Sequence, residues 1–215
     1  MHSPQLLVKQ AYACTVAIFK RFSMWSLALG LFLFLGTHAL RIRGDVMRDR
    51  LLARLGPRYF KTLYALTSAL GFFLLVYGFG IARETPVVLW TPPPAMKHVA
   101  YLLTLVAMVL MAAVYVPRNA FKAKLHHPMI LSVKTWALAH LLANGTLAHL
   151  LLFGSMLLWS IFLFKASRAR DKLNQVVYTP GNKASTILTL EIGIAMWLIF
   201  VAWAHGWLIG VQVMQ

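Results

Sequence analysis

The sequence predicts an all-α, polytopic membrane bundle of about six transmembrane helices. Three observations carry that prediction. Of 215 residues, 60% are hydrophobic and 12% charged, too little charge to solvate a soluble domain of this size. Several apolar runs reach the ~18–20 residues that cross a bilayer. The basic residues, 21 Lys+Arg against 5 Asp+Glu, gather between those runs, where they set membrane orientation. The net charge of +16 therefore points to a membrane and not to nucleic acid. A single cysteine, Cys14, excludes an internal disulfide, a CxxC pair and a cysteine-based zinc site.

Residues 1–23 are moderately apolar, interrupted by Lys9 and Gln10 and closed by Lys20-Arg21. No small-residue cleavage site follows a short apolar core, so the segment reads as an amphipathic or interfacial helix ahead of a transmembrane domain, residues 24–215. The first span covers Met24 to Leu40 and ends in Thr37-His38-Ala39-Leu40. The connector after it is strongly basic. Leu51, Leu52 and Leu55 share one face there, which predicts an amphipathic surface helix stopped by Gly56-Pro57. The second span runs from Thr62 to Ala82. Trp90 and Pro92-Pro93-Pro94 then form a stiff interfacial segment. The third span is His98 to Val116, ended by Pro117. Two spans follow, Met129–Asn144 and Thr146–Phe164, meeting at Asn144-Gly145 in a hairpin expected to be buried. Residues 165–183 are expected to be a basic loop, with Pro180-Gly181 as its turn, and Ala184–Gly210 is the last span.

With six crossings, the connectors after spans one, three and five hold 7, 4 and 5 basic residues, counting Lys134 with the second. The opposite side holds three at the N-terminus and two between spans two and three. That split of 16 against 5 predicts a cytoplasmic membrane protein with both termini outside the cytoplasm.

Ionisable rings inside apolar runs are expensive and mark candidate sites. Val133, Trp136, Ala137, His140 and Asn144 fall at helical spacing on one face, expected to hold a bound group such as haem. His140 has no nearby carboxylate in sequence, and His38 lies one turn from Arg41. Neutral imidazoles from two helices, facing across an apolar slot, make an axial pair for haem iron. His98, His140, His149 and His205 offer a second arrangement, a zinc or copper cluster. Asp45, Asp49 and Asp171 read as solvated partners of arginines, Glu84 as interfacial, and Glu191 as a partner for a lysine near the surface. No acid pair, Ser-His-Asp set or glycine-rich phosphate loop supports hydrolase or nucleotide chemistry.

The runs GLFLFLGTHALRIRG, LLARLGPRYFKTLYALTSALGFFLLVYGFGIAR, HPMILSVKTWALAHLLANG, LLFGS and the closing HGWLIGV resemble the NnrU family. That resemblance implies a bacterial inner-membrane protein associated with nitrite and nitric oxide reduction. NnrU is in turn similar to the plant zeta-carotene isomerases, membrane enzymes that use haem b. In that relative, axial histidines match His38 of GTHALR and His140 of WALAH. Arg41 and Arg43, just beyond His38 in this chain, are expected to pair with haem propionates, because guanidinium suits carboxylate geometry. A cysteine that serves there as an alternative ligand matches Ala137, which removes thiolate ligand exchange from the chemistry expected here. The implied chemistry is isomerase or oxidoreductase in class. The implied partners are membrane lipids and an apolar small molecule or nitric oxide. A second resemblance competes. His127-Pro128-Met129 looks like the entrance of the isoprenylcysteine carboxyl methyltransferases, which bind S-adenosylmethionine, although His126 stands where that family has arginine. A non-catalytic assembly or transport role is the third reading.

Overall fold

The structure, a computed structural model, describes residues 22–42 and 45–213. Of the interfacial segment expected over residues 1–23, residues 1–21 lie outside them, as does Arg43, while Phe22 and Ser23 open the first long helix. The helices are α1 (Phe22–Arg41), α2 (Asp45–Ala82), α3 (Ala95–Tyr115), α4 (Ala120–Leu125), α5 (Pro128–Ala143), α6 (Leu147–Leu173), α7 (Lys183–Ile199) and α8 (His205–Ile209). A five-residue π-turn, Phe200–Ala204, joins the last two without a break. Among the described residues five helices are long and apolar enough to cross a membrane, and all five coincide with expected spans. The remaining expected span is α5, whose 16 residues reach about 24 Å at 1.5 Å per residue.

Two boundaries differ from expectation for local reasons. The helix of span five does not stop at Phe164. It continues to Leu173, because Lys-Ala-Ser-Arg-Ala-Arg-Asp-Lys-Leu contains good helix formers and no Gly or Pro. The apolar run ends there, and the helix does not. The basic connector after span three also holds a short helix, α4, which Asn119 initiates.

The described residues of Met1–Thr91 and Gly145–Ser155 form one compact unit, and those of Pro92–Asn144 and Met156–Gln215 a second. In the first, α1 and α2 pack backbone to backbone. A Cβ on Gly30 would overlap the Leu75 amide, and one on Gly78 would overlap that of Leu27. Small residues allow this approach, which is how helices associate in lipid, where no hydrophobic effect drives them together. Leu27 is fully buried in the contact, while Trp25, Phe32, Leu66 and Phe73 point outward onto surface that a bilayer would cover. The expected break at Gly56-Pro57 is present. Gly56 adopts φ 75°, ψ 160°, a conformation a side chain would oppose, and helix resumes at Pro57.

After α2 the chain forms a short strap on the start of α6. Leu89 and Trp90 both donate backbone N–H bonds to the Gly145 carbonyl at 2.8 and 3.1 Å, and Leu147 N–H donates to Val87 at 2.9 Å. Gly145 is buried beneath it. A Cβ there would collide with the Trp90 carbonyl oxygen. The Gly of the Asn144-Gly145 junction is thus required for close approach.

In the second unit α3 packs against α5 and α7. Ser132 donates to the Ala107 carbonyl at 2.7 Å, and a Cβ on Gly193 would meet the Val109 Cα at 2.6 Å. Asn119, fully buried, closes one helix and opens the next. Its Nδ2 donates to the Ala113 and Val116 carbonyls at 2.9 and 2.6 Å, satisfying the end of α3. Its Oδ1 accepts from Lys122 N–H at 2.8 Å, capping α4.

Candidate functional site

A cavity of about 550 Å³ opens in the second unit, between α3, α5, the end of α7 and the chain end at Val211–Val213. Its size lies within the ~300–1,000 Å³ of small-molecule sites. Val133, Trp136, His140 and Asn144 line it as their shared face predicts, whereas Ala137 is fully buried. Aromatic surface comes from Trp136, Trp197 and Phe200, and the imidazoles of His140 and His205 stand on the wall.

Hydrogen bonds hold this wall in shape. The Tyr101 hydroxyl donates to the Val213 carbonyl, which fastens the chain end over the cavity. His205 Nδ1–H donates to Val211 at 2.7 Å, and Trp197 Nε1–H donates to the Thr104 hydroxyl at 3.1 Å. His205 directly follows the π-turn, a local irregularity that recurs at functional sites because it redirects side chains.

His140 Nδ1–H donates to the Trp136 carbonyl, one turn back, at 2.9 Å. A carbonyl can only accept, so Nδ1 carries the proton and the lone pair resides on Nε2. Metal-ligating histidines have this tautomer, fixed in the same manner. Asn144 Nδ2 donates to the His140 carbonyl at 2.9 Å and secures the last turn of α5. The donor chemistry and the apolar wall both fit a haem ligated by neutral imidazole.

His38, in the first unit, repeats the arrangement. Its Nδ1–H donates to the Phe34 carbonyl at 2.7 Å, and its ring lies between those of Phe34 and Tyr64, at 4.4 and 5.5 Å. Arg41 is exposed in a cleft with Arg48 and Lys61. His149, also in the first unit, shares a 2.6 Å hydrogen bond with the Thr146 hydroxyl and packs edge-on against Phe79. His98 is exposed at the start of α3. Among the described residues no three His, Cys, Asp or Glu side chains group to hold a metal ion. The alternative cluster of His98, His140, His149 and His205 is thus not found as such a group among the described residues.

One constellation escaped the sequence reading. Asp171 is no solvated loop residue. It sits in the last turn of α6 with 15% of its side chain exposed, and His127 Nε2–H donates to it at 2.8 Å. The Tyr178 hydroxyl donates to the same oxygen at 2.9 Å, while Arg168 stands 3.6 Å away. The His126 ring packs edge-on against Tyr178 at 4.0 Å, and its buried Nδ1 has no hydrogen-bond partner. His127, from the motif resembling a methyltransferase entrance, is thus engaged in tying the start of α5 to the end of α6. Burial raises the Tyr178 pKa, and the bond to Asp171 adds to the rise. Burial lowers that of His126, and Arg168 adds to the fall.

None of the curated proteins and none of the solved structures matches this chain. A family model described as "NnrU protein" matches residues 26–213, and with five helices of membrane-crossing length and composition among the described residues the chain belongs to the NnrU family of membrane proteins.

Proposed function

We propose that this protein binds haem b, with His140 and His38 as its axial ligands, and acts in nitrite and nitric oxide metabolism through redox or nitric oxide-responsive chemistry. The observation that carries the reading is the His140 ring, which stands on an apolar cavity wall with Nδ1–H bonded to Trp136. Haem, when bound, supplies a redox-active iron able to take nitric oxide. The chain supplies the rest. Trp136 fixes the tautomer of His140, and the aromatic wall excludes water. Tyr101 holds the chain end across the cavity. His38 is held in the same tautomer by Phe34, and its position near the end of α1 makes it the ring that moves at lower cost. A haemochrome assay on protein purified from haem-replete cells tests the reading. Stoichiometric haem b is expected, and protein that stays haem-free under these conditions rules it out.

The same proposal places the protein in the bacterial inner membrane with both termini periplasmic. The charge split of 16 against 5 requires α5 to cross. At about 24 Å it falls short of a ~30 Å hydrocarbon core, a mismatch met by local thinning or by Lys134 reaching to the interface.

A further inference from the structure

We propose that the basic cleft of the first unit binds the phosphate of an anionic phospholipid. The cleft, about 280 Å³, is lined by Leu40, Arg41, Arg48, Phe60, Lys61 and Tyr64. Its three cations come from separate places: the end of α1, the amphipathic segment before Gly56 and the first turns after it. The break at Gly56 lets Arg48 and Lys61, on opposite sides of it, line one cleft. None of the described residues that line it is acidic. Arg48 has Asp49 beside it at 3.2 Å, but that pair is exposed and weak.

Three cations that line one concavity together attract an oxyanion placed among them. A phosphodiester matches the donor set, since guanidinium and ammonium groups both bond well to phosphate oxygens. The Tyr64 hydroxyl adds a neutral donor. Depth identifies the source of the phosphate. Leu40-Arg41 closes the apolar run of α1, and Lys61 immediately precedes the apolar run of α2. The cations therefore sit at head-group level, with Leu40 and Phe60 as apolar flanks for the glycerol and the first acyl carbons. The connector carries seven basic residues, the largest share of the positive bias. Basic pockets between helices on the cytoplasmic side are where anionic head groups dock.

The test uses the full-length protein in neutral detergent, titrated with short-chain phosphatidylglycerol, phosphatidylcholine or inorganic phosphate. Bound lipid is counted by native mass spectrometry, and stabilisation is read by thermal unfolding. Phosphatidylglycerol should bind saturably and raise the melting temperature, and phosphatidylcholine should not. Lys61→Gln and Arg48→Gln should each weaken binding roughly fivefold, and Lys61→Arg should retain it. Equal binding of the two lipids, or unchanged affinity in both Gln variants, would overturn the proposal. Equal stabilisation by inorganic phosphate alone would reduce the cleft to a free-anion site. Loss of haem with lipid affinity intact would make the occupant a haem propionate. If the variants do not fold, salt decides on the wild type: an affinity for phosphatidylglycerol that ignores ionic strength contradicts the assignment.

Discussion

His127 Nε2 lies 2.8 Å from an oxygen of Asp171, and Tyr178 donates to that same oxygen from the other side of it in sequence. One carboxylate thus joins the start of α5, the end of α6 and the loop beyond. Replacing it by Ala leaves a part-buried imidazole and a phenol without their acceptor, at a cost of about 1–3 kcal/mol. Asp171→Ala should lower the unfolding temperature, and Arg168→Ala, whose contact is longer and exposed, should barely move it.

The same corner responds to pH at both extremes. His126 has its pKa lowered by burial, with Arg168 and His127 adding to the fall and Asp171 opposing it. Its contribution is therefore present above the ordinary histidine value, about 6.5, and lost as pH falls through the lower folded value. Tyr178 has a raised pKa, so its contribution is present below about 10 and lost as pH rises through the higher folded value. Melting curves across pH should show both limbs. His126→Phe should remove the acid one, and its persistence would place the titration elsewhere.

Gly145 and Gly36 should behave oppositely. A Cβ on Gly145 overlaps the Trp90 carbonyl, while one on Gly36 meets nothing within 4 Å. Gly145→Ala should cost about 1–3 kcal/mol as the strap is forced off. Gly36→Ala, in the body of α1, should be neutral or stabilising by up to about 1 kcal/mol. Thermal unfolding of the two variants side by side checks the pair.

The sequence made the membrane helices legible because length and hydropathy are local properties. It also exposed the Gly56-Pro57 break and the shared face of Val133, Trp136, His140 and Asn144. Non-local arrangements stayed hidden. The bonds from His127 to Asp171, 44 positions on, and from Tyr101 to Val213, 112 positions on, leave no periodic trace. The π-turn that precedes His205 leaves none either, and Asp171 among four basic neighbours looks like any solvated acid. The extension of α6 to Leu173 carries no hydropathy signal, because the helix outlasts its apolar run.

S-adenosylmethionine provides a direct check on the competing methyltransferase reading. A ligand that binds the folded protein raises its stability by mass action. No saturable shift in melting temperature is expected on adding it, because His127 is already bonded to Asp171. A saturable shift that disappears in His127→Ala would favour the methyltransferase.

Orientation is decided by a reporter fused after Gln215, which should read as periplasmic. A cytoplasmic reading would mean that α5, with its 16 residues, enters and returns without crossing.

The reduced-minus-oxidised absorption spectrum of the purified protein and its histidine variants tests the haem assignment most directly. The wild type should give the Soret and α bands of a six-coordinate, low-spin haem b. His140→Ala should abolish haem retention or nearly so. His38→Ala should leave a five-coordinate, high-spin haem, and His149→Ala and His205→Ala should keep the wild-type spectrum. Loss of haem in His149→Ala or His205→Ala, with His38→Ala unchanged, would contradict the assignment of the axial pair.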